Sequence, residues 1–114
     1  MPGETWKIIL SIVEKLKAEY KPERIVLFGS YAYGQPDENS DIDLLIIKDT
    51  DERPIDRRIA VRRLVSGLHN RIPFSPLVLT PVEIERRLTR GDQILAEILN
   101  KGETLYVREQ LHNS

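Results

Sequence analysis

Hydrophobic positions along the chain follow two different periods, which predicts helices interleaved with strands. From Thr5, a residue suited to cap a helix, to about Glu19, apolar residues recur every three or four positions, as on one face of a helix. These residues are Ile8, Ile9, Ile12, Val13 and Leu16. Pro22 then ends the helix, and apolar runs at 24–28 and 42–47 predict two strands.

The second half of the chain repeats this alternation. It predicts a helix at about 55–69, a strand at 74–79, helices at about 81–90 and 92–100, and a last strand near 104–107. Pro76 places its strand at a sheet edge or a bulge, because proline has no N–H to donate. The expected fold class is therefore α/β (α+β), a small mixed sheet covered by helices. We expect one domain over residues 1–114, with a flexible tail from about 108 to 114.

Two short motifs connect the first two predicted strands. Gly29 and Ser30 follow the first apolar run, and Asp41 and Asp43 open the second after about ten residues. A glycine turn that opens a helix lets a phosphate approach backbone N–H groups, and the serine hydroxyl adds a donor. Residues two apart in a strand share a face, so the two aspartates present paired carboxylates that suit Mg²⁺ or Mn²⁺. The spacing predicts a site for a nucleoside triphosphate with its metal.

Two segments, LFGSYAYG at 27–34 and SDIDL at 40–44, resemble the signature of the DNA polymerase β-like nucleotidyltransferase superfamily, in its minimal nucleotidyltransferase (MNT) branch. The similarity covers nearly the whole chain, up to a final segment at 102–106. It implies the nucleotidyltransferase fold and transfer of AMP from ATP, with Gly29 and Ser30 on the triphosphate and Asp41 and Asp43 as catalytic ligands of Mg²⁺. It also implies that the protein is the antitoxin of a HEPN-domain toxin and neutralises that partner by adding AMP to a tyrosine.

One carboxylate of the superfamily pattern is missing. That pattern has a third acid on a later strand, and counting back from Leu79 assigns its position to Ser75. A serine can bind a metal or a water but cannot act as a carboxylate base. Asp49 cannot replace it, because six residues along a strand from Asp43 span about 20 Å.

Two alternatives to this function stay open. The first, which Ser75 motivates, is a catalytically impaired antitoxin that keeps the fold and only binds its partner. The second is a transferase for a small hydroxyl-bearing molecule such as an aminoglycoside. Such an enzyme needs walls that enclose its acceptor, and this chain has few residues left to build them.

Composition narrows the class of protein further. The 114 residues are 31% charged and 40% hydrophobic and include no cysteine, which fits a globular protein of the reducing cytoplasm. With no apolar run of 18 residues and no signal-peptide core, we expect neither a membrane span nor export. The formal net charge of -1 argues against broad nucleic-acid binding. We expect a homo-oligomer or a heteromeric complex.

Several side chains outside the motifs have two interpretations. Two groups of arginines form either solvated helix faces or a docking surface for an acidic partner or for nucleotide phosphates. They are Arg57, Arg58, Arg62, Arg63 and Arg71, and Arg86, Arg87 and Arg90. Tyr31 and Tyr33 either pack against the protein or contact or accept a nucleotide, and Trp6 is predicted in the core or an interface. His69 and His112 show no metal-ligand spacing, and His112 falls in the tail.

Overall fold

The computed structural model describes residues 3–109. Its elements are α1 (Gly3–Glu19), β1 (Arg24–Phe28), α2 (Ser30–Tyr33), β2 (Ile42–Ile47), α3 (Pro54–Leu64), β3 (Phe74–Leu79), α4 (Pro81–Thr89), α5 (Gln93–Lys101) and β4 (Glu103–Val107). The strands form one sheet in the order β3-β2-β1-β4. In it, β1 is antiparallel to β2 and to β4, whereas β2 and β3 are parallel. The predicted mixed α/β fold class is confirmed.

Helices cover both faces of this sheet. Along β2, Leu44 and Ile46 point into a core that α1 and α3 complete, while Leu45 and Ile47 point into a second core that α5 completes. Burial on both faces explains why the β2 sequence is an uninterrupted apolar run. Because side chains alternate along a strand, Asp43 shares the face of Leu45, which is the α5 side of the sheet.

Two N-caps fix the points at which α4 and α5 begin. Thr80 and Glu83 form a reciprocal capping box, in which the Thr80 N–H donates to Glu83 Oε1 at 2.8 Å and the Glu83 N–H donates to Thr80 Oγ1 at 3.2 Å. Asp92 Oδ1 accepts from the Leu95 N–H at 2.9 Å. These caps start α4 directly after β3 and start α5 shortly after α4 ends.

The structure corrects two predicted helix ends. The prediction that Thr5 caps the first helix was wrong, because α1 already includes Gly3 and the backbone of Thr5 is helical. The third helix ends at Leu64 instead of about 69, and Gly67 has a left-handed φ of 84° that a helix cannot continue through. Pro76 predicted that β3 is an edge strand or contains a bulge, and the structure shows the edge strand.

Part of the predicted tail, residues 110–114 with His112, lies outside the described residues. Within the described part of the chain, no helix combines the length and the apolar character that a membrane crossing requires.

Candidate functional site

The turn between β1 and α2 has a backbone conformation that glycine adopts far more readily than other residues. Gly29 has φ 73° and ψ -158°. Its carbonyl oxygen accepts the N–H groups of Ala32 and Tyr33, both at 3.0 Å, and so starts the single turn of α2. The first N–H groups of a helix have no partner within that helix, so those of Ser30 and Tyr31 are suited to an anion.

Asp43 lies directly against this turn. The antiparallel register of β1 and β2 pairs Phe28 with Asp43, which places the residue after Phe28 beside the Asp43 side chain. A Cβ added to Gly29 would overlap Asp43 Oδ2 and would lie 3.1 Å from its Cγ. The absence of a side chain at Gly29 therefore makes room for the carboxylate, so the turn and the acid lie side by side.

The two predicted carboxylates differ in their surroundings. Asp41 is exposed just before β2, whereas Asp43 is half-buried within it. Burial, and then the neighbouring negative charge of Asp41, raise the pKa of Asp43 to about 6. A cation between the two groups would stabilise the charged form of Asp43, because it offsets both effects.

This donor set fits a hard divalent cation such as Mg²⁺. Mg²⁺ commonly takes one or two carboxylates and completes its shell with substrate phosphates and water. Among residues 3–109, no group of three or more His, Cys, Asp or Glu side chains could hold a metal by itself. A metal on Asp41 and Asp43 would thus depend on phosphate oxygens, which the adjacent turn is suited to bring.

Ser75 lies next to Asp43 in the sheet. The parallel register of β2 and β3 pairs these two residues, and paired residues of neighbouring strands point to the same face. An acid in place of Ser75 would lie beside the carboxylate pair. Asp49, in contrast, follows the end of β2 at Ile47, at the opposite end of the strand.

The aromatic and histidine side chains named from the sequence differ in how far they are buried. Tyr31 is 9% exposed and belongs to the core, whereas Tyr33 is 44% exposed. Trp6 is partly buried against the same core. His69 Nδ1 lies 2.8 Å from the Ile72 carbonyl oxygen, and this contact favours a structural role.

The structure removes one arginine from the predicted docking surface. Arg57 is only 5% exposed, and its Nη1 lies 2.7 Å from Glu83 Oε1 while its Nε donates to the Glu52 carbonyl at 2.8 Å. Burial alone raises the pKa of Glu83, but hydrogen bonds from Arg57 and from the Thr80 N–H outweigh it, and the pKa is lowered overall. The prediction of a solvated or docking Arg57 was wrong; its four-residue spacing to the buried Val61 was the available signal. The other predicted arginines are exposed.

Comparisons with known proteins agree with this architecture. Residues 11–111 match the family model described as Polymerase beta, Nucleotidyltransferase. MJ1305 of Methanocaldococcus jannaschii, provisionally named a protein adenylyltransferase, is 33% identical over 107 residues, which are 90% of this chain and 71% of that protein. MJ0604 of the same organism, with the same provisional name, is 49% identical over 47 residues, 40% of this chain and 47% of that protein.

Solved structures share the fold. A provisionally named nucleotidyltransferase from Sulfolobus solfataricus has a TM-score of 0.65 at 24% identity, over 94% of this chain and 84% of its own. A mutant of the toxin-antitoxin MntA-HpeT has a TM-score of 0.59 at 23% identity, over 90% of this chain and 74% of its own. A toxin-antitoxin with AMP-PNP has a TM-score of 0.58 at 24% identity, over 89% of this chain and 74% of its own. From the family match and the MJ1305 similarity together, the chain belongs to the polymerase beta nucleotidyltransferase family.

Proposed function

We propose that this protein is a metal-dependent nucleotidyltransferase that transfers AMP from ATP to a hydroxyl group of a partner protein. The observation that carries the proposal is the direct packing of the Asp43 carboxylate against Gly29, which joins an anion-binding turn to a carboxylate pair. Membership of the family supports nucleotidyl transfer, and the provisional name of MJ1305 supports a protein as the acceptor.

Each site residue has a defined role in this proposal. The N–H groups of the turn and the Ser30 hydroxyl would donate to the triphosphate, which Gly29 allows to approach the backbone closely. Asp41 and Asp43 would hold Mg²⁺ or Mn²⁺. When bound, the metal supplies positive charge that polarises the phosphates and favours deprotonation of the acceptor hydroxyl.

The bond changes follow from these positions. The acceptor oxygen forms a bond to the α-phosphorus of ATP while the bond from that phosphorus to the bridging oxygen breaks, and pyrophosphate leaves. The acceptor proton passes to solvent, because Ser75 occupies the position beside Asp43 where a third carboxylate could accept it. The residues of the chain thus act by holding and orienting the two substrates.

We extend the proposal to a toxin-antitoxin pair, with this protein as the antitoxin and a HEPN-domain toxin as the acceptor. The MNT-like motifs at 27–34 and 40–44 support this assignment, and the toxin-antitoxin structures share the fold. The acceptor group would be a tyrosine hydroxyl of the toxin. The reaction would take place in the cytoplasm, which the lack of cysteine fits.

A label-transfer experiment tests the activity. The purified protein is incubated with α-phosphate-labelled ATP, Mg²⁺ and the candidate HEPN-domain toxin, and labelled protein is detected. Wild type is compared with Asp41→Asn plus Asp43→Asn, and with Asp49→Asn as a matched loss of an acid at the far end of β2. We expect label with wild type and with Asp49→Asn. Equal labelling by the double variant would refute the assigned site, and no labelling by wild type would refute transfer to that acceptor.

Ser75 favours a second candidate, an antitoxin that binds and covers its toxin without chemistry. Its position opposite Asp43 leaves the carboxylate pair without a third acid. The decisive measurement is neutralisation of the toxin by the Asp41→Asn plus Asp43→Asn variant. Full neutralisation by a folded double variant would support binding alone, whereas loss of neutralisation would support the enzyme.

A further inference from the structure

A cleft of about 240 Å³ runs along the outer edge of β3. Pro54 and Arg58 of α3, residues 76–79 of β3, and Glu83 and Arg87 of α4 line it. The two helices lie on opposite faces of the sheet, since α3 joins the core of Leu44 while α4 joins the core of Leu45. We call this space the β3-edge cleft; no role in the proposed chemistry accounts for it.

The side chains of the β3-edge cleft leave a net positive charge. Of the residues that line it, Glu83 is acidic, and its charge is matched by the buried Arg57 at 2.7 Å. Arg58 is exposed, and Arg87 Nη1 reaches Asp92 Oδ2 only at 4.0 Å.

A further hollow of about 160 Å³ extends the positive surface along α4. It shares Glu83 and Arg87 with the β3-edge cleft and adds Arg86 and Arg90. The combined surface therefore favours a ligand with several negative charges.

The backbone of β3 is poorly suited to pair with an added strand. The carbonyl oxygen of Leu79 accepts the Lys48 N–H, so the backbone polar groups of Leu79 point toward β2. Because these groups alternate in direction along a strand, those of Val78 and Pro76 point outward from the sheet. Pro76 has no N–H, and the Val78 carbonyl lies 3.4 Å from Arg57 Nη1. A ligand in the cleft would thus be recognised through the arginine side chains and not through strand addition.

We propose that the β3-edge cleft binds an acidic segment of the acceptor protein, with carboxylates of that segment on Arg58 and Arg87. A guanidinium binds a carboxylate through two parallel hydrogen bonds, which gives both strength and orientation. The net charge of -1 disfavours a long polyanion such as RNA, which would extend beyond the arginines. This inference rests on the proposed function, because it assumes a protein acceptor.

The cleft also lies where docking would help catalysis. Its first β3 residue, Pro76, directly follows Ser75, which is paired with Asp43. An acidic segment in the cleft whose chain continues past Pro76 would therefore bring the rest of the acceptor toward the carboxylate pair. Such a docking contact raises the effective concentration of the acceptor hydroxyl at the site.

Peptide binding, measured by fluorescence polarisation without ATP or metal, tests this inference separately from transfer activity. The probe is a fluorescein-labelled peptide of four Glu-Ser repeats, with a Gln-Ser peptide as its neutral counterpart and a uridine octamer as a competing polyanion. The test variant is Arg58→Gln plus Arg87→Gln. Arg71→Gln is the matched control, since Arg71 is exposed near the start of α1 and outside the cleft.

We expect wild type to bind the acidic peptide at least tenfold more tightly than the neutral one, with weaker binding at higher salt. The double variant should lose at least tenfold in affinity, and Arg71→Gln should stay within twofold of wild type. Unchanged affinity in a folded double variant would overturn the proposal, as would tighter binding of the uridine octamer. Because the binding assay contains neither ATP nor metal, a failure of label transfer would not change the measured peptide affinities.

Discussion

Replacement of Gly29 by alanine would test whether one glycine both forms the turn and makes room for Asp43. At φ 73° and ψ -158°, the backbone strain of a residue with a Cβ raises the free energy of the folded state by about 1–3 kcal/mol. The added Cβ would also overlap Asp43 Oδ2, which is the end of a rotatable side chain, so the carboxylate would move away more easily than the backbone. We expect Gly29→Ala to lower the free energy of unfolding by about 1–3 kcal/mol. Label transfer should fall by about 100-fold, the order of loss that a misplacement of about 1 Å can cause.

Gly34→Ala is the matched control for this variant. Gly34 also has a positive φ, 81°, but a Cβ added there meets no atom within 4 Å. Its substitution should therefore cost about 1–2 kcal/mol of stability and leave Asp43 in place. Urea unfolding measures the stability of both variants, and labelled ATP measures transfer at a temperature where both are folded. The reasoning would be refuted if Gly29→Ala transferred label at the wild-type rate, or if both variants lost transfer activity to the same extent.

Three further perturbations test other parts of the structure. Because the pKa of Asp43 is raised from 3.8 to about 6, the folded protein binds its proton more tightly than the unfolded chain, and stability should fall as pH rises from about 4 to 6. In metal-free buffer, Asp43→Asn should therefore raise Tm relative to wild type more at pH 7.5 than at pH 4; equal shifts would contradict the pKa. Arg57→Ala should lower the free energy of unfolding by about 2–4 kcal/mol, because it removes a buried guanidinium and leaves the half-buried Glu83 without its partner. Arg58→Ala, at an exposed position, should change the free energy of unfolding by no more than about 0.5 kcal/mol, as measured by urea unfolding. Ser75→Asp should lower Tm in the absence of metal, because it places a second carboxylate beside Asp43. The same variant should show a larger rise in Tm on addition of Mg²⁺ than wild type does. An equal rise in both proteins would count against the assigned metal site.

The ion pair of Arg57 and Glu83 connects the stability of the fold to the proposed docking surface. It joins α3 to α4 across the edge of β3, and Glu83 also completes the capping box of α4. The pair neutralises Glu83 and so leaves the charges of Arg58 and Arg87 available to a ligand. Disruption of Arg57 should therefore affect acidic-peptide binding as well as folding.

The sequence alone predicted the elements whose signals are local. The bounds of β1, β2 and β3 follow from apolar runs that turn residues interrupt, and these runs are buried because both faces of the sheet are covered. Gly29, Ser30, Asp41 and Asp43 also stand out locally, since the turn and the Asp-x-Asp pair each lie within a few residues. Their assignment to phosphate and metal stays a prediction. The sequence failed at Thr5, where the helix begins earlier than its capping residue suggested.

Only the tertiary structure decided which distant residues meet. The strand order puts Phe28 on one side of Asp43 and Ser75 on the other, although Asp43 and Ser75 are separated by more than thirty positions in the chain. The contact of Arg57 with Glu83 likewise joins two different helices, and no local pattern encodes that contact. Local periodicity reports which face of an element is apolar, but the free energy of packing the whole core selects the neighbours of each face. For this reason the sequence indicated the chemistry of the candidate site, while the fold determined its geometry.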